Sequence, residues 1–160
     1  MEEYTIETST FSPVPAWIRF HIYGLQGLCD EVVFSAFLSL FSDGKNIKLK
    51  GESSLYSFFI FAGYSILQER LYLLLKKRYR FSAPLRLCVY LPVLYCWEYC
   101  TGWILQQFDA CPWDYRRYTY NVHGLITLEY APGWLILCGL LDILADYLLS
   151  LGRMKRQKAA

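Results

Sequence analysis

Four carboxylates fall inside otherwise apolar stretches of this chain: Glu31, Glu69, Glu98 and Asp142. A carboxylate at the centre of a bilayer costs about 2.5–3.5 kcal/mol on insertion scales. Four such groups facing lipid would oppose insertion, so they are expected to point inward. There they have two chemical options. They can gather along one axis as a polar cavity for a proton, a cation or a small solute. Alternatively, each can be held by Arg19, Arg70, a tyrosine hydroxyl or a backbone carbonyl and keep the helices in register. Glu69 lies one turn from a basic helix end, so Lys76 is a further partner within reach. Glu129 and Asp146 are read chiefly as structural.

Helical spacing supports the inward reading. Gly24, Gly27, Glu31 and Ser35 fall close to one face, as do Ala62, Ser65, Glu69 and Tyr72. So do Tyr95, Glu98 and Gly102, and likewise Gly139, Asp142 and Asp146. Small residues beside each acid let helices approach closely in lipid.

A second candidate is the loop motif Cys111-Pro112-Trp113-Asp114-Tyr115. A cysteine beside an acid suggests a nucleophile or ligand, and His123 is the nearby imidazole that would serve as its base. The structural reading is an interfacial loop: Pro112 stiffens a turn, Asp114 caps one, and Trp113 and Tyr115 anchor at the membrane surface. Of the six cysteines, Cys29, Cys88, Cys96, Cys100 and Cys138 sit in apolar stretches and are read as packing groups. Cys96 and Cys100 share a helix face without a second ligand pair, so no metal site is expected. No P-loop, GxSxG, HExxH or dinucleotide fingerprint occurs, and no cofactor is expected. An ATP-driven pump would need its ATPase on another chain.

The elements that must position these residues are four apolar blocks, at about residues 17–41, 55–75, 85–108 and 125–151. Each is long enough for the ~20 residues that cross a hydrocarbon core. The third has little room for the polar face a water-soluble bundle requires. The expected fold is therefore all-α, a single transmembrane domain of 160 residues built as a bundle of four membrane-spanning helices. Asp43-Gly44-Lys45-Asn46 signals a turn, and a short basic loop follows the second block. The tail, 152–160, is expected to be frayed. Lys and Arg concentrate on the side shared by the N-terminus, the second loop and the tail, which predicts both termini in the cytoplasm. The acidic start, with Glu2, Glu3 and Glu7, lacks the basic stretch of a secretory signal, so a retained first helix is expected.

Composition agrees. Hydrophobic residues make up 55% and charged residues 19%, below the quarter or so usual for soluble domains. The fourteen tyrosines suit membrane-interface belts. A net charge of +2 without a basic, aromatic-interleaved patch excludes a nucleic-acid partner.

Five segments carry a family resemblance across most of the chain. They are Glu31-Val32-Val33-Phe34-Ser35-Ala36, then Ser65-Ile66-Leu67-Gln68-Glu69-Arg70-Leu71-Tyr72, then Trp97-Glu98-Tyr99-Cys100-Thr101-Gly102. The Cys111–Tyr115 motif follows, and last Gly124-Leu125-Ile126-Thr127-Leu128-Glu129-Tyr130-Ala131. Together they resemble the transmembrane protein 229 family, its animal B-type members most closely. Gln26 departs from a position where relatives often carry His, and Asp142 from one where they carry Glu. The resemblance implies a multi-pass membrane protein. The bacterial relatives are similar to a group assigned by name to ABC-transporter membrane components, which implies transport.

Three functions are therefore open. The first is a protein with an acidic intramembrane cavity that binds or moves a proton, cation or small solute. The second is a non-enzymatic accessory or scaffold subunit of a membrane complex. The third is a lipid-acting enzyme using the Cys111 loop. The expected partners are the lipid bilayer and either further copies of the chain or other membrane subunits.

Overall fold

The computed structural model describes residues 10–43 and 47–155. Readings that rest on Glu2, Glu3 and Glu7, on the Gly44-Lys45-Asn46 turn, or on Arg156 and Lys158 lie outside the described residues.

Four long helices carry the fold: α1 (Ala16–Asp43), α2 (Leu55–Tyr72), α3 (Ala83–Gln106) and α4 (Ala131–Ser150). Local signals set their ends. Ser54 caps α2, its hydroxyl accepting the Tyr56 N–H at 3.3 Å. Prolines stand in the first turns of α3 and α4, where a missing N–H costs nothing. α2 runs on through a π-helical segment, Leu73–Arg78, and stops where Arg80 takes a positive φ of 55°.

Two of these helices are long and apolar enough to cross a membrane, the continuous Leu55–Arg78 and the stretch Leu128–Ser150. The fourth apolar block does not form one helix from residue 125. Its first residues instead make a small antiparallel hairpin, β2 (Asn121–Val122) with β3 (Ile126–Thr127), and a 3-10 turn, Leu128–Tyr130. Gly124 makes the turn at φ 73°, which a side chain resists.

The tail also departs from expectation. Its described part, β4 (Gly152–Lys155), pairs antiparallel with β1 (Thr10–Pro13), and residues 156–160 lie outside the described residues.

α1 lies along α2, and α2 also packs on α3 and α4. A Cβ on Gly24 would sit 2.5 Å from the Phe58 ring, and one on Gly27 would sit 2.2 Å from Phe61, so this contact requires glycine at both places. On α2, Ala62, Ser65, Glu69 and Tyr72 are all buried, as the small polar seam demands.

The distribution of polarity is inverted relative to a water-soluble bundle. Ile143, Ile136 and Phe59 stand more than 60% exposed, at 69%, 67% and 63%, while Glu69, Arg19 and Asp142 are buried. Tyrosines fill the core. Tyr23, Tyr64, Tyr72 and Tyr90 are almost wholly buried; the hydroxyls of Tyr23, Tyr64 and Tyr90 find acceptors inside the bundle, and that of Tyr72 donates to the half-exposed Asp146. The interfacial-belt reading of tyrosine therefore fails for these four. A ring with a hydroxyl handle suits a core that must also satisfy buried carboxylates.

Candidate functional site

The four acids divide between two ends of the bundle and do not share one axis. At the end formed by the start of α1 and the end of α2, Glu69 is sealed. Its side chain is fully buried and accepts two N–H groups from Arg19, at 2.6 and 2.8 Å, and the Tyr23 hydroxyl at 2.9 Å. Arg19 also donates to the Val14 carbonyl. Lys76, expected as a partner of Glu69, instead pairs with Asp146, and Arg70 points outward.

Asp142 is sealed in the same way. Arg86 grips both of its oxygens, and the Tyr90 hydroxyl donates to one at 2.7 Å. Arg86 further donates to the Phe81 carbonyl at 2.8 Å. Asp146 faces outward, half exposed, with Tyr72 and Lys76 beside it. A carboxylate with a forked guanidinium and a phenol has its acceptor sites filled, so these groups are joints between helices.

Glu31 and Glu98 belong to the opposite end. Glu31 does not lie in mid-bundle. The connection into α2 folds back over α1, where the Ser35 hydroxyl meets the Glu52 backbone at 2.8 and 3.0 Å. Ser53 donates to Glu31 at 2.5 Å. Glu31 thus stands level with the start of α2.

Glu98 is the exception among the acids. It is 8% exposed and accepts one hydrogen bond, from the Tyr115 hydroxyl at 2.9 Å. Its second oxygen is buried and has no partner among the described residues. Buried polar atoms are nearly always partnered, which singles this oxygen out as a candidate ligand atom.

The Cys111–Tyr115 loop supplies the lid. Trp113 and Tyr115 turn inward rather than anchoring outside. The Trp113 ring packs on Gly102, where a Cβ would meet it at 2.8 Å, and its N–H donates to the Leu125 carbonyl at 3.0 Å. The Tyr115 backbone N–H donates to Gly124 at 2.8 Å, and its hydroxyl reaches down to Glu98. Burial, and then the Glu98 carboxylate, push the Tyr115 hydroxyl above its ordinary range, so it remains a donor. Asp114 accepts the Arg116 N–H at 2.9 Å and closes the turn. Cys111 and His123 are not paired. The His123 ring meets the Tyr99 hydroxyl at 2.8 Å, the Cys111 thiol donates to the Trp113 carbonyl at 3.4 Å, and burial pushes that thiol up. Among the described residues, no base or cation activates Cys111 as a nucleophile.

Beneath this lid lies a cavity of about 450 Å³, lined by Glu98, Glu31 and Asp30 among mainly aromatic and aliphatic side chains. Its aromatic walls include Phe61, Trp97, Trp113, Tyr115, Tyr130 and Trp134. The Trp134 indole N–H is buried and also lacks a partner among the described residues. No group of three or more His, Cys, Asp or Glu side chains suited to a metal occurs among the described residues.

Sequence reasoning passed over Asp30 and the aromatic walls. Asp30, Phe34 and Phe37 recur at i, i+4 and i+7 on α1, a stripe that would have pointed to this cavity. Trp134 left no comparable signal, because its exposure to the cavity depends on where α4 begins.

Residues 18–156 match the model of the family described as "Putative ABC-transporter type IV", and the chain belongs to that family. No solved structure matches it.

Proposed function

We propose that this chain is a single transmembrane domain of four spans with both termini cytoplasmic, and that it holds a positively charged solute or a proton at Glu98 as the membrane-embedded part of a transport machinery. The observation that carries the reading is the buried, unpartnered oxygen of Glu98 facing an aromatic-walled cavity. An ionisable group inside a membrane protein is costly and tends to mark a pathway or a ligand. The apolar exterior and charged interior support spans for α1 and α3 alongside the two more apolar helices. The family description supports transport. Within the family, the segments around Glu31, Glu69, Glu98, Cys111 and Glu129 resemble the transmembrane protein 229 group.

Each candidate then has its own role. Glu98 is the ligand group, with Asp30 and Glu31 as further carboxylates of the same cavity. Glu69 and Asp142 are helix joints. Trp113 and Tyr115 form the lid. Partners are the bilayer and either further copies of the chain or other membrane subunits, an ATPase among them. The test is a titration of the protein in lipid nanodiscs with tetramethylammonium, read by tryptophan fluorescence. A saturable change that disappears in Glu98→Gln supports the reading. A change of equal size and midpoint in that variant refutes it.

An accessory subunit without chemistry is the second reading, favoured by the buried Arg19–Glu69 and Arg86–Asp142 joints, which make a rigid scaffold. It predicts a stoichiometric partner on native purification and no ligand response.

A further inference from the structure

Resting on that reading of Glu98, we infer that the ligand is an organic cation with an apolar body, entering from the bilayer between α1 and α4. Three observations converge on this class.

Size comes first. About 450 Å³ far exceeds the room a proton or a single water needs, and falls within the range of small-molecule sites. Wall chemistry comes second. Hard metal cations take six or more oxygen ligands, whereas Glu98, Glu31 and Asp30 each already spend one oxygen on Tyr115, Ser53 or Gln26, and no group suited to a metal occurs among the described residues. Aromatic faces stabilise alkylated ammonium groups, most strongly when water is excluded. The Glu98 carboxyl, with a buried oxygen that no described residue partners, supplies the complementary charge when it ionises beside a cation.

The mouth is the third observation. Val33 and Phe37 on α1 and Ile136 and Leu140 on α4 all line the cavity, and all are about half or more exposed, between 48% and 67%. α1 leans on α2 rather than on α4, and the gap is bridged near the lid by Phe34 stacked edge-on against Tyr130 at 5.0 Å. On the four-span reading, an opening between α1 and α4 rimmed by outward-facing apolar side chains gives onto acyl chains rather than water. A permanently hydrated inorganic cation would gain nothing from that route. An ammonium group carrying an alkyl or aryl body would leave the body along the apolar rim and place the charge at Glu98.

The test uses the protein in nanodiscs and three probes: tetramethylammonium, hexyltrimethylammonium, and the neutral tert-butyl isostere of the latter. Trp97, Trp113 and Trp134 report occupancy by fluorescence. Hexyltrimethylammonium should bind about tenfold or more tightly than either of the other two, from apolar burial over the first and from charge over the second. Glu98→Gln should abolish the saturable response to both ammonium ions and leave the isostere unchanged. Equal binding of the two ammonium ions would overturn this inference and leave the charged-solute reading standing. Equal binding of the isostere and hexyltrimethylammonium, or indifference of all three to Glu98→Gln, would overturn both. The three-probe comparison on the unmodified protein keeps the inference refutable if the variant fails to fold.

Discussion

Replacing Arg19 by methionine should be among the most damaging single changes in this protein. The Glu69 side chain is 0% exposed and Arg19 is 7% exposed, so water cannot take over when the partner leaves. The carboxylate would lose both guanidinium N–H bonds and keep the Tyr23 hydroxyl alone. Leaving one member of a buried ion pair uncompensated costs about 3–5 kcal/mol. Lys76→Met provides the contrast. It breaks a pair whose side chains are 38% and 52% exposed, where about 1 kcal/mol or less is at stake. The pair itself contributes little net stability, because its attraction is set against desolvation. The combined change Arg19→Met, Glu69→Leu and Tyr23→Phe removes both charges and the orphaned hydroxyl, and should recover most of the loss. Reversible unfolding in mixed micelles measures all three variants on one scale. Similar losses for Arg19→Met and Lys76→Met, or a combined variant as unstable as the single, would refute the argument that burial seals this joint.

Further outcomes follow from the other end of the bundle. Tyr115→Phe removes the one hydroxyl that Glu98 accepts, and should cost about 1–3 kcal/mol in the same unfolding assay. Glu98→Gln keeps an acceptor for Tyr115 and should shift stability by no more than about 1 kcal/mol while abolishing the ligand response, which separates a binding role from a structural one. Gly27→Leu drives a side chain into Phe61, and should destabilise the α1–α2 contact by about 1–3 kcal/mol. Cys111→Ser should leave ligand binding within about twofold, since the thiol is not activated, and a large loss would restore Cys111 as a chemical group.

How much of this was legible in sequence follows from the range of each interaction. The four helices were readable because length and hydropathy are local. The start of α4 was misread because Leu125, Ile126 and Leu128 continue the apolar run, although Pro132 already marked a helix start two residues past Tyr130. The choice between cavity and joint was not readable. Arg19 and Glu69 lie 50 positions apart, and Arg86 and Asp142 lie 56 apart. Spacing along one helix places an acid on the inner face and says nothing of which neighbour carries the cation. The same limit misled the tyrosines: their number suits an interface, and only tertiary packing turns Tyr23 and Tyr90 onto buried carboxylates. The loop motif was recognisable as a unit, but its inward turn depends on Gly102 across the helix surface and on the β2–β3 hairpin.

The proposed function requires that Glu98 be open to a ligand while Glu69 and Asp142 are sealed. Labelling of the protein in nanodiscs with a lipid-soluble carbodiimide, mapped by mass spectrometry, tests it most directly. Modification is expected at Glu98, slowed by hexyltrimethylammonium, with Glu69 and Asp142 unmodified. Modification of Glu69 or Asp142 at a rate matching Glu98, or a Glu98 that never reacts, would contradict it.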